Sequence, residues 1–199
     1  MSMHSDKNPN PQGKGLVPVL DDWQASRPTQ LAPKPIGQWL LDWFASVVVL
    51  SSTFSFKPVV GQRYFLYWWQ ESWKMSLVAP EEWGTRPVGD CLGECRMHPD
   101  MTWSIQAAEG LDAKPELLQS LQGMVEGFLR ELEDDAALEE RLPGYRRELP
   151  YYQRMLATAL GKSLRASAEN QAMLVAPAAQ LLETGSADLL RRLTAPTGS

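Results

Sequence analysis

Cys91, Cys95 and His98, spaced C-x3-C-x2-H with Asp100 two residues further on, are the donor types that would hold a metal ion. Their geometry argues against it. On a strand, residues four apart stand roughly 13 Å from each other, and a structural zinc site normally shows two paired-ligand blocks rather than one. The cysteines therefore read as ordinary buried thiols, with only Arg96 beside them to depress a pKa, and no metal or other cofactor is expected. Glu81, Glu82, Glu94 and Asp100 are the carboxylates whose pKa values burial beside Trp83 or Trp103 would push apart. With His98 as partner, Glu81 or Glu82 would serve a small hydrolase or transferase. Adjacent acids in a first helical turn already have a dipole reason to be there, and that reading is preferred. Ser76 with His98 lacks a strand-turn-helix nucleophile elbow. Gly161-Lys162-Ser163 has Leu156 where a phosphate-binding loop needs its first glycine, so it reads as helix interior.

Two further sets point to binding rather than catalysis. All 8 tryptophans lie at or before Trp103. Aromatic stripes on strands are first of all core; of the rings, Tyr67, Trp69, Trp73, Trp83 and Trp103 are the candidate binding residues, because an aromatic surplus that escapes packing makes a groove for a peptide or a platform for bases. The second set is electrostatic. Acids dominate from Glu126 to Glu140, bases from Arg141 to Arg165. Facing helices that attract one another would explain this; a strip with Arg146, Arg147 and Arg154 contacting phosphate is the sharper alternative.

These side chains have to be positioned by elements that the periodicity reveals. Ile36, Trp39, Leu40, Trp43, Phe44, Val47 and Val48 make one broad helical face over 36–50. From Ser52 the period changes to two: Thr53–Phe56 ends at Lys57-Pro58, and Arg63–Gln70 and Trp73–Ala79 flank a short polar turn, Gln70-Glu71-Ser72, as a hairpin. Both faces of the first arm are apolar, which predicts a helix over one face and C-terminal helices over the other. Pro80-Glu81-Glu82-Trp83-Gly84 reads as one helical turn. Strands follow over Asp90–Met97 and Met101–Gln106. A helix with Asp112 as N-cap and Pro115 in its first turn runs to about Glu140, and another starts near Pro150. A third piece near Pro177 and a last one near Leu189 complete the helical half.

Four blocks carry a family resemblance: Tyr64-x-x-Tyr67; Met75 to Gly84 with its Ser-hydrophobe-Pro-x-Glu-Trp-Gly character; Leu92-Gly93; and Asp100-Met101-Thr102-Trp103. The stretch from about Gly61 to Gln106 resembles the domain of unknown function 2452 family, found in bacteria and animals. The resemblance implies a fold unit. It brings no catalytic or binding residues with it.

Composition bounds the rest. With 199 residues, 44% hydrophobic and 22% charged, the chain can bury a core. The apolar run Trp39–Leu50 is interrupted by Asp42 and Ser46 and falls short of the roughly 20 residues a membrane span needs. The polar start MSMHSDKNPNPQGKG has no signal-peptide core, so a cytoplasmic protein is expected. The net charge of −5 argues against a general preference for nucleic acid. The expectation is an α+β fold: an antiparallel, aromatic-rich sheet of about four to five strands, packed with an N-terminal helix and a C-terminal helical hairpin. Residues 1–34, rich in proline, form a mobile or extended arm; 35–199 form a single domain, with helix and sheet over 35–110 and the helical half over 111–199. The expected function is a non-catalytic protein-interaction module with a protein partner, self-association being left open. The alternatives are the hydrolase or transferase above and a nucleic-acid-associated protein using Arg146–Arg165.

Overall fold

A computed structural model describes residues 16–133 and 138–169. The order of elements is α1 (Leu16–Ala25), α2 (Ile36–Ser51), β1 (Arg63–Trp69), β2 (Ser72–Ser76), a 3-10 turn (Pro80–Trp83), β3 (Asp90–Met97), β4 (Trp103–Ala107), a second 3-10 turn (Leu111–Ala113), α3 (Pro115–Leu132), α4 (Leu138–Arg141) and α5 (Tyr151–Glu169). The four strands form one antiparallel sheet in the order β2-β1-β3-β4. This is the α+β fold the periodicities predict. No helix among the described residues is long and apolar enough to cross a membrane.

The alternation along β1 sorts its rings. Tyr64 and Leu66 point to the inner face, where they meet Trp39, Trp43 and Phe44 of α2 and Trp103 of β4. Tyr64 packs edge-on to Trp103 at 5.7 Å and is stacked on Phe56 at 5.4 Å. Such pairs are worth about 0.5–1.5 kcal/mol each beyond burial. The stripes Leu117-Leu121-Val125-Phe128 of α3 and Leu156-Leu160-Leu164 of α5 join the same cluster. All the long helices except α1 thus bury their apolar stripes with the inner face, which corrects the expectation of helices on both sides. Phe65 and Tyr67 point outward and form a separate small cluster with Ala79 and Cys91, onto which Trp83 and Val88 pack. The cover on that side is the 77–89 strap between β2 and β3. Four buried residues with two rim partners suffice, so the outer face needs no helix.

Several local readings change. Within 1–34 the described part is helical over Leu16–Ala25 rather than extended. The β1–β2 turn has two residues, Gln70 and Glu71, with φ of 51° and 57°; both occupy the left-handed region that this type of tight hairpin demands. Of Thr53–Phe56, only Thr53 bridges to the sheet, beside Lys74. Asp112 lies in a 3-10 turn instead of capping a helix, and α3 begins at Pro115 and ends at Leu132. The pieces expected near Pro177 and Leu189 lie outside the described residues. Charge segregation in the helical half is met by an ion pair between Arg165 of α5 and Glu139 of α4.

Candidate functional site

Three of the candidate rings meet at one place. Tyr67 and Trp69 stand on the outer face of β1, opposite Lys74 and Ser72 of β2 in register. Trp83 reaches them from the strap: its indole N–H donates to the Tyr67 hydroxyl at 3.1 Å, and the two rings cross edge-on. That hydroxyl donates in turn to the Val78 carbonyl at 2.9 Å. Burial pushes Tyr67 up to about 12 against the opposing effect of the Trp83 hydrogen bond, so it remains a donor and the pair is locked. The strap is fixed at its start as well. Ser76 accepts from the Val78 N–H at 3.0 Å, and the Glu82 carboxylate accepts from the Ala79 N–H at 2.7 Å.

Between strap and hairpin lies a groove of about 450 Å³. Phe54, Phe56, Tyr67, Trp69, Trp83 and Val88 supply its apolar wall, and Lys74, Thr53, Ser55 and Ser76 its polar groups. Tyr67 is buried, whereas Trp69 and Trp83 are half-buried. An apolar concavity of this size with a few convergent polar groups has the character of a ligand site. Phe54, Phe56 and Lys74 did not stand out in the sequence. The signal for the phenylalanines was their period-two spacing, which reads equally as strand; Lys74 is placed beside Tyr67 only by the register of the hairpin.

The other candidate rings are structural. Trp73 is 6% exposed and Trp103 1%, both in the large inner cluster. The basic candidates lie on and just before α5. Arg146 and Arg147 are exposed, while Arg154 lies over the Tyr145 ring at 5.6 Å and donates to the Arg147 carbonyl at 3.4 Å. The enzymatic alternative needs Glu81 or Glu82 near His98. Tyr67, which those acids flank, is six residues along the hairpin from the level of His98, roughly 20 Å at strand rise. His98 instead meets Ser104 at 2.8 Å. Cys91 belongs to the outer cluster and Cys95 to the inner one, so the sheet separates the two thiols. Burial raises both, Cys95 to about 12.

A buried ionic cluster occupies the other end of the molecule, and its cation went unnoticed in the sequence. Lys34 Nζ bonds the carboxylates of Asp42 and Asp100, each at 2.5 Å. Asp100 also accepts from the Thr102 N–H at 3.1 Å and hydroxyl at 2.7 Å, which makes the tight turn into β4. Burial alone would raise the Asp100 carboxyl; the bonds from Lys34 and Thr102 outweigh it and hold the group below its usual value. For Lys34, burial would lower the ammonium, and the two aspartates reverse that and raise it. The same turn is tied to α2, since the Trp103 N–H donates to Ser46 at 2.9 Å.

The four sequence blocks thereby acquire physical roles. Tyr64 takes the Val59 N–H at 2.7 Å, Tyr67 anchors the strap, and the Asp100 block closes the ionic cluster. At Leu92-Gly93 the β1–β3 register slips, Leu66 pairing with Gly93 and Tyr67 with Cys91, so Leu92 is a bulge residue. A Cβ on Gly93 would stand 2.1 Å from the Gln106 carbonyl oxygen of β4. Comparison with curated proteins and with solved structures finds no match. Residues 49–127, which include the whole sheet, the strap and every residue lining the groove from Thr53 to Val88, match the family described as protein of unknown function (DUF2452).

Proposed function

We propose that this protein is a non-catalytic interaction module of the cytoplasm, and that the groove between strap and hairpin receives an extended segment of a partner protein. The observation that carries the reading is the division among the rings. Trp39, Trp43, Trp73 and Trp103 are packed inside, whereas Trp69 and Trp83 are only partly buried and line one shared concavity. Partly exposed indoles in a concave site are the side chains that dominate binding energy at protein interfaces. The groove's one charged lining residue is Lys74.

The test is retention of a defined partner by the tagged full-length chain, compared with Trp69→Ala and Phe54→Ala. Trp69 is only partly buried and Phe54 also packs against the inner cluster, so a melting curve verifies that each variant is folded. Truncating a central ring weakens binding more than about tenfold. Undiminished partner retention by both variants, or turnover of a substrate by the isolated chain, would refute the reading.

A further inference from the structure

The one charged side chain lining the groove is Lys74. Lys74 Nζ lies 4.3 Å from the centroid of the Trp69 ring, and the Arg86 guanidinium lies 5.7 Å from that of Trp83. Among the described residues, neither cation is within ion-pair distance of an acid. Elsewhere on the same sheet face the pattern differs: Arg63 and Arg96 each bond Glu94 at 2.7 Å. The nearby acid Glu82 is turned onto the Ala79 N–H, and Glu81 beside it pairs with neither cation. A lysine resting on an indole keeps its N–H donors for an incoming acceptor, and the ring holds the ammonium over the groove without neutralising it.

Building on the docking role proposed above, we infer that the segment recognised is an acidic one: a bulky apolar side chain seats between Trp69 and Trp83, and a neighbouring aspartate or glutamate reaches Lys74, with Arg86 as a second cation at the rim. The apolar wall supplies affinity, and the unpaired cations supply sign selectivity and faster encounter at low salt. The inference adds the charge of the partner segment, which the docking role leaves open.

The experiment pans a phage library of random dodecapeptides on the immobilised full-length chain. The selected peptides are then measured as synthetic, fluorescently labelled molecules. Expected is enrichment of Asp or Glu within two residues of Phe, Leu or Trp. Replacing the acid by its amide weakens binding about threefold, and Lys74→Glu weakens it about tenfold while Lys74→Met has the smaller effect. Lys74 is half-exposed, and a melting curve matching the wild type verifies that each variant is folded. Enriched peptides without acids, or acidic peptides indifferent to Lys74→Glu, overturn the charge assignment. If those peptides are still lost on Trp69→Ala, the docking role survives that result. Absence of enrichment over bare support, or enrichment indifferent to Trp69→Ala, removes both.

Discussion

Replacing Lys34 by methionine strands two carboxylates. Asp42 and Asp100 have side chains 6% and 7% exposed, and each stands 2.5 Å from the same ammonium. Their bonded oxygens are therefore at most about 5 Å apart, and two unit charges at that distance repel by about 3 kcal/mol at an effective dielectric of about 20. This agrees with the about 3–5 kcal/mol expected when one partner of a buried ion pair is removed. At roughly 2–4 °C per kcal/mol for a chain of this size, the melting temperature falls by about 6–20 °C at pH 7. The pH dependence carries the sharper signature. In the wild type, Asp100 titrates below its usual value, so its contribution is complete above the ordinary carboxylate range and is lost as pH falls through the folded value. Lys34 titrates above 10.5, so its contribution is complete below that pH and is lost as pH rises through the folded value. The cluster therefore adds no slope between about pH 5 and pH 9. In Lys34→Met the Asp100 carboxyl keeps its burial but loses the ammonium that opposed it, so it is pushed up instead, and stability increases as pH falls from 7 toward 5. Adding Asp100→Asn to Lys34→Met recovers most of the loss. Urea denaturation at pH 5, 6 and 7 measures all three chains. A Lys34→Met chain with the wild-type midpoint and no rise toward pH 5 would refute the argument.

Three further outcomes follow from positions already described. Gly93→Ala forces β3 and β4 apart, because the new methyl would stand 2.1 Å from a carbonyl oxygen; the unfolding free energy from urea denaturation falls by about 3 kcal/mol or more, whereas Gly123→Ala, exposed on α3 with open space around it, raises it by about 0.5–1 kcal/mol. Glu71→Gly relieves a non-glycine residue held at φ 57° and raises the thermal midpoint by an amount worth about 1 kcal/mol. Disulfide-exchange titration at pH 8 finds neither Cys91 nor Cys95 reactive in the native protein and both reactive in urea, since both thiols are buried and titrate high.

What the sequence made legible is what local periodicity encodes. The Ile36 face is continuous enough to give α2 within one residue of its end, and β1 and β3 emerge from their alternation. Register was not legible, and register decides which ring is site and which is core. A three-residue turn at Gln70-Glu71-Ser72 would set Trp69 opposite Trp73. The actual two-residue turn sets Trp68 opposite Trp73 on the inner face and leaves Trp69 outside. Gln and Glu are poor indicators of such a turn, so its length was hidden. The ionic cluster shows the same limit at longer range. In the sequence Asp42 and Ser46 registered only as interruptions of the apolar run Trp39–Leu50; their burial marks a polar network. Their partners, Lys34 on the preceding segment and Trp103 on β4, are brought in only by the fold. Phe54, Phe56 and Lys74 belong to one groove for the same reason: the backbone that unites them is a parallel bridge at Thr53.

The outer cluster and the inner one lie on opposite faces of the sheet and approach each other at the groove, where Phe54 and Phe56 of the inner set share the lining with Tyr67 and Trp83 of the outer one. Everything that makes the chain cohere sits with α2, α3 and α5. The wall of the groove hangs on a handful of bonds centred on Tyr67, Ser76 and Glu82. Residues on the strap can accordingly be exchanged, and the width and chemistry of the recess retuned, with little penalty to the melting temperature of the whole. The scaffold is thus suited to carrying altered specificities on an unaltered frame.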